Sequence, residues 1–141
     1  MKLHDFAKQY LFEPLDIHDT LWHEKGGVAL GSDGLRIKSS DLMKIARLWM
    51  HQGTYNQHVL CHPQWFIDAI QPYYKTYQMG CYGYHVWVDT YTYKEFELNF
   101  YFALGYGGQY IINVPLLDLS IILTSRLYKD SLLPLSLVKT H

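Results

Sequence analysis

The densest chemical signal in the chain is Ala103-Leu104-Gly105-Tyr106-Gly107-Gly108-Gln109, set between two strand-like runs. Glycine has no Cβ, so such a stretch permits positive φ and lets a ligand approach the backbone closely. Backbone N–H groups exposed at a strand end can hold an oxyanion, the charged oxygen of an acyl-transfer intermediate. The plainer reading of the same residues is a glycine-rich hairpin turn without chemistry. A dinucleotide-binding loop is excluded, because no capped helix follows the glycines.

Two other clusters carry reactive residue types. His58-Val59-Leu60-Cys61-His62 holds three residues of the kinds that bind zinc. A structural zinc site takes four ligands, commonly as two separated pairs. Cys81 with His85 is the only second pair on offer, so no metal site is assigned. Ser32, Ser39, Ser40, His85 and Asp89 supply the types of a Ser-His-Asp triad, but none sits in a G-x-S-x-G elbow. Ser39, Ser40, Ser120, Ser125 and Ser131 also lack a lysine three residues on, the S-x-x-K spacing of penicillin-recognising enzymes. Serine at a helix start is far more often a cap than a nucleophile. No catalytic residue is assigned, and nothing in the chain calls for a cofactor.

Composition narrows the partners. The 141 residues suit one domain, and 49% hydrophobic against 18% charged residues is a globular balance. Twelve Lys and Arg against 13 Asp and Glu leave a formal charge of −1, with no basic excess to attract nucleic acid or an anionic membrane. The 13 tyrosines fit a wide, half-buried sheet surface, or stacking on a ligand. Cys61 and Cys81 cannot build a disulfide framework; they allow one bridge between them at most, and read rather as small buried hydrophobes. No stretch resembles a signal peptide or reaches membrane-spanning length, so the chain as written reads as soluble.

Leu3, Phe6, Ala7, Tyr10 and Leu11 recur at helical spacing and Pro14 follows, which predicts an amphipathic helix ending near Phe12. It starts almost at Met1, as if the chain were cut through an ordered region. From Pro14 to about Ser39 no period holds, and glycines with a lone Trp22 predict a packed irregular loop beside a cleft. Ser39-Ser40-Asp41 predicts a helix start with a capping hydroxyl, and Gly53 its end. Thr54 to Leu60 reads as extended or turn. Pro63 predicts the first position of another helix, which Pro72 ends. Then the period becomes two. Tyr82 to Asp89, Leu98 to Leu104, Gln109 to Val114 and Leu119 to Ser125 predict strands close enough for an antiparallel meander. Pro134 breaks the tail, leaving room for a short helix. Helices first and strands later indicate α+β.

In their order these pieces resemble the β-lactamase-related serine hydrolases. That family includes class C β-lactamases, penicillin-binding carboxypeptidases, certain esterases and nylon-oligomer (6-aminohexanoate) hydrolases. The similar stretches are Phe6-Ala7 through Leu11-Phe12-Glu13-Pro14-Leu15-Asp16-Ile17, Trp22, Ser39-Ser40-Asp41-Leu42 to Gly53, and Tyr82-Gly83-Tyr84-His85-Val86-Trp87. Ala103-x-Gly105-x-Gly107-Gly108-Gln109 to Pro115 and Asp118-Leu119-Ser120-Ile121-Ile122-Leu123 complete them, about residues 3–126. The Ala-x-Gly form with Gly-Gly-Gln looks closest to the esterase and amide-hydrolase side. Asp16, where the family usually has Gly, and Val86, where Trp is common, suggest drift or a differently shaped pocket.

The resemblance implies the C-terminal portion of a β-lactamase/transpeptidase-like fold. Residues 1–141 would then be one partial domain, with a helical and loop part over 1–72, antiparallel strands over 80–126 and a tail over 127–141. It also implies hydrolysis of a small ester or amide through an acyl-enzyme. The activating serine, lysine and tyrosine motifs would precede Met1, so the chain would carry a cleft wall and be inactive alone. Ala103, Gly105, Tyr106, Gly107, Gly108 and Gln109 match the family's oxyanion strand, with Tyr106 the likeliest N–H donor. Ala103 stands where many members have the lysine of Lys-Thr-Gly. Exposed apolar surface, an open strand edge, and association with itself or with a missing N-terminal half are the further expectations. The alternative is a non-catalytic binding or interaction domain that reuses the aromatic sheet.

Overall fold

Leu3 to Phe12 is helical as the spacing predicts, but it changes form along its length. Helix α1 (Leu3–Ala7) widens into a π-helical stretch over Lys8–Phe12 and tightens to a 3-10 turn over Glu13–Leu15. These coordinates are a computed structural model that describes residues 1–77 and 79–140. Asp16 ends the turn at φ 55°, a left-handed conformation that suits glycine and that Asp tolerates better than most residues. The Asp16 carboxylate binds His18 at 2.7 Å and faces Lys44, and both hold it below the ordinary carboxylate range. Ala7, Phe12, Leu15 and Ile17 are buried against Leu48.

The aperiodic segment forms two short ribbons. β1 (Leu21–Trp22) pairs with β4 (Leu35–Arg36), and β2 (Glu24–Lys25) with β3 (Val28–Ala29). Trp22 ties them together, its indole N–H donating to the carbonyls of Leu30 at 2.8 Å and Asp33 at 3.1 Å.

Helix α2 (Ser39–Met50) begins where expected but without the expected cap. Lys38 occupies the capping position and no side chain caps the helix. Asp41 instead pairs with Lys44 one turn on, at 3.1 Å. Gln52, at φ 50°, takes the left-handed position after the helix. Gly53 N–H then reaches back to Leu48 O at 2.9 Å, a Schellman closure. A hairpin of β5 (Thr54–Tyr55) and β6 (His58–Val59) turns on Asn56 and Gln57, both at positive φ. Helix α3 (Pro63–Ala69) starts on its proline, and His62 Nδ1 accepts the Gln64 N–H.

The meander follows. β7 (Tyr74–Lys75), β8 (Cys81–Tyr82), β9 (Trp87–Tyr93), β10 (Phe96–Gly105), β11 (Gln109–Val114) and β12 (Leu119–Leu123) form one sheet in the order β12-β11-β10-β9-β8-β7. The alternation from Tyr82 to Asp89 is not one strand. Tyr82 pairs with Trp87 across a turn, because Gly83 lies against the Ala69 carbonyl where no Cβ fits. Tyr84 N–H donates to that same carbonyl at 2.9 Å. Pro134 does not break the tail either. It sits in the first turn of α4 (Leu133–Thr140), where a missing N–H costs nothing. Cys61 is exposed and Cys81 half-buried, both as free thiols, which corrects the expectation of buried cysteines.

Both faces of β10 and β11 are covered. On one, Phe100, Phe102, Tyr110, Ile112 and Val114 meet Leu135 and Val138 of α4. Lys139 anchors that helix through a 2.7 Å ion pair to Asp89 and lies over the Phe100 ring. On the other, Tyr101 packs with Ala69, Val86 and Trp49. Fully buried Asn113 joins three elements, donating to Ala46 O of α2 at 3.2 Å and accepting from Ser120 Oγ of β12 at 2.7 Å.

Burial pushes the Tyr101 hydroxyl up to about 12, the nearby Asn113 amide offsetting part of the rise. Below its ordinary value of about 10 the phenol is neutral in folded and unfolded chains alike. Between about 10 and about 12 only the unfolded chain releases the proton, so stability falls across that window. Urea unfolding at stepped pH is therefore expected to show an alkaline loss that shrinks in Tyr101→Phe. An undiminished loss in that variant would refute the assignment.

Candidate functional site

The Gly-rich segment is the turn between β10 and β11. Gly105 pairs with Gln109 across the ladder, and Gly108 N–H closes the turn on Gly105 O at 2.9 Å. Gly108 stands at φ 78°, completing a three-residue hairpin loop of the kind that needs a left-handed residue before the second strand.

The Gln109 side chain folds back over the loop. Its Oε1 accepts the Gly107 N–H at 3.2 Å, and its Nε2 donates to Ser125 O at 2.7 Å. Ser125 Oγ lies 2.7 Å from Gly107 O and 2.8 Å from Gly108 O. Leu127 N–H donates to Gly107 O at 2.9 Å. A Cβ on Gly107 would meet Gln109 Nε2 at 2.6 Å, so the folded-back amide requires glycine there.

These bonds satisfy the N–H groups of Gly107 and Gly108. The Tyr106 N–H, at the exposed tip, has no acceptor among the described residues. The Tyr106 ring leans on Tyr128, with centroids 5.8 Å apart. A donor fixed by the turn and open to solvent can meet a developing oxyanion without reorganising. Ala103 and Gly105 alternate with Leu104 on the strand leading to it and are half-buried. All six sequence-derived residues thus fall on one turn and the strand ends that flank it. Ser125 and Tyr128 were missed, since they lie 16 and 19 residues beyond Gln109 with no local pattern linking them to it.

The meander brings the β8–β9 turn to the same end of the sheet. There Tyr73 and Tyr84 stack in parallel, 5.0 Å between centroids and 10° between planes. A hydrogen bond with Tyr84, aided by desolvation, pushes the Tyr73 hydroxyl up to about 12. It stays protonated near neutral pH and is no general base.

The serines are occupied elsewhere. Ser120 and Ser125 serve Asn113 and the glycine turn. One serine does have a lysine three residues on, in Ser136-Leu137-Val138-Lys139. Within α4 the Ser136 hydroxyl donates to Leu133 O at 2.7 Å, and Lys139 is held by Asp89. Among the described residues no bond joins the pair. Asp89 is thereby committed to Lys139, and His85 sits on an exposed turn at φ 57°. Among the described residues, no group of three His, Cys, Asp or Glu side chains could hold a metal ion.

No protein-family model matches the chain, and no curated protein sequence does. Solved structures do. A provisionally named beta-lactamase from Bacteroides dorei DSM 17855 superposes with a TM-score of 0.61 at 13% identity, over 86% of this chain and 44% of that one. The octameric penicillin-binding protein homologue from Pyrococcus abyssi gives 0.61 at 14% identity, over 95% of this chain and 37% of that one. The chain is therefore α+β with the fold of a β-lactamase/transpeptidase C-terminal portion. It spans less than half the length of either structure.

Gly108→Ala is expected to lower stability by about 1–2 kcal/mol, from the positive φ alone, with a further cost from the Ser125 Oγ contact. Gly31→Ala, where a Cβ meets nothing within 4 Å, is the matched control. Equal urea midpoints for the two variants would show that the turn is not built as described.

Proposed function

We propose that this chain supplies one wall of a serine hydrolase cleft that acts on a small ester or amide. The Tyr106 N–H is its oxyanion donor. The carrying observation is that this N–H is the free donor of a turn whose Gly107 and Gly108 N–H groups are engaged. The serine that attacks belongs to a segment outside residues 1–141. As its oxygen adds to the substrate carbonyl, the carbonyl oxygen gains negative charge and Tyr106 N–H donates to it. Collapse of that intermediate expels the alcohol or amine and leaves the acyl-enzyme, which water then cleaves.

The resemblance and the shared fold support this reading, and the strand end refines it. Ala103-Leu104-Gly105 offers no cation, so a substrate carboxylate finds no partner there. Neutral acyl groups, as in the esterase and nylon-oligomer branch, suit the site better than β-lactams. The exposed Tyr73–Tyr84 stack favours a second reading, a non-catalytic binding surface.

Tyr106 is the second residue of the turn, where proline fits the backbone. Tyr106→Pro therefore removes the N–H with little disturbance, and Tyr106→Phe retains it. In the hydrolase assembled with its serine-bearing segment, kcat on a p-nitrophenyl ester is expected to fall about 10²–10³-fold in the proline variant only. Unchanged kcat would reject the oxyanion role. No fluorophosphonate labelling of that assembly would favour the binding surface.

A further inference from the structure

Where α2 and α3 cover the middle of β10, the packing leaves a pocket of about 160 Å³. Trp49, Phe66, Ile70 and Tyr101 wall it, and the exposed Gln52 stands at its mouth. The pocket is separate from the Gly-rich turn. Tyr101 comes four residues before Gly105 on β10, about 14 Å away along an extended strand.

The walls are set before anything binds. Trp49 meets Tyr101 edge-on, with centroids 6.0 Å apart and planes at 79°, and Phe66 meets Trp65 edge-on at 5.1 Å and 82°. Phe66 also presses on Gly53, where a Cβ would stand 2.7 Å from its Cε2. Neither ring can swing into the space without giving up these contacts.

The candidate occupants differ in what they satisfy. Water needs several polar partners, and the side chains around the pocket offer only the Tyr101 hydroxyl and the Gln52 amide. An ion finds no charged side chain among the lining residues. An apolar ring fits better, since a cavity of about 150 Å³ lined by apolar side chains takes up benzene. Aromatic walls receive such a ring edge to face. One polar group orients it. Tyr101 is 6% exposed, and the Asn113 amide beside it is committed, donating to Ala46 O and accepting from Ser120 Oγ. The Tyr101 hydroxyl keeps its proton at neutral pH, and that proton has no acceptor among the described residues.

We infer that this pocket binds a small neutral aromatic molecule that carries one acceptor oxygen. The ring lies among Trp49, Phe66 and Ile70, and its oxygen takes the Tyr101 hydroxyl proton. Helix α3 walls the pocket, and its Ala69 O also holds the Tyr84 N–H of the β8–β9 turn at 2.9 Å. A ligand that braces α3 therefore braces that turn as well, so the pocket suits an effector and not a substrate. The inference stands on the pocket alone and does not need the proposed hydrolase activity.

The test titrates phenol, and separately benzene, into the full chain and follows the indole N–H signals by NMR. Phenol is expected to shift the Trp49 signal with half-saturation at about 1 mM, well within the ceiling for so small a ligand. Trp22, whose indole is bonded to Leu30 O and Asp33 O, is expected to stay unmoved. Tyr101→Phe removes one oxygen, and is expected to weaken phenol about tenfold while leaving benzene unchanged. Ile70→Phe, which fills the pocket, is expected to abolish the binding of both. A Trp49 signal that does not move, or that moves without saturating, overturns the inference. So does phenol binding that is equally tight in Tyr101→Phe, since the hydroxyl would then play no part.

Discussion

The two-sided burial of β10 and β11 is the constraint from which the rest of the architecture follows. A strand with one wet face can slip by two residues and keep its pattern, whereas a strand packed on both faces has a single register that fits. Phe102, Tyr110, Ile112 and Asn113 are all fully buried, so the hairpin meets α4 on one side and α2 with α3 on the other. Asn113 sharpens this because it is polar. Any slip would strand its amide away from Ala46 O and Ser120 Oγ, and an unsatisfied buried amide costs about 1–3 kcal/mol.

Fixed register also fixes the shape of the Gly-rich turn. Because Gly105 must face Gln109, the Gln109 amide reaches back over the loop and across to Ser125. The loop then cannot rearrange without breaking bonds to a segment after β12. The Tyr106 N–H, which has no acceptor among the described residues, is thus held in place by bonds to the segment after β12, as a rigid scaffold holds a loop.

Much of this was legible in the residues. The change of period after Gly80 announced the meander, and Pro63 and Gly53 marked helix ends near where they occur. The misreadings have physical causes. Tyr82 to Asp89 alternates like a strand, but contact of Gly83 with the Ala69 carbonyl, 14 residues earlier in the chain, folds it into a hairpin. Ser39 and Ser40 look like caps, yet the backbone places Lys38 in the capping position. Cys61 falls on an exposed connection next to α3, which composition cannot reveal. At the candidate site the turn itself was readable from its glycines. Its lock was not, since Ser125 and Tyr128 join it only through tertiary folding.

The account turns on which amide of the loop is free, and amide hydrogen exchange by NMR reads this directly. The Tyr106 amide is predicted to exchange faster than those of Gly107 and Gly108, which are bonded to Gln109 Oε1 and Gly105 O. In Gln109→Ala the Gly107 amide should accelerate toward the Tyr106 rate, with Gly108 little changed. A Tyr106 amide protected as well as its neighbours would mean that the donor is already taken, and the proposed oxyanion role would fall with it.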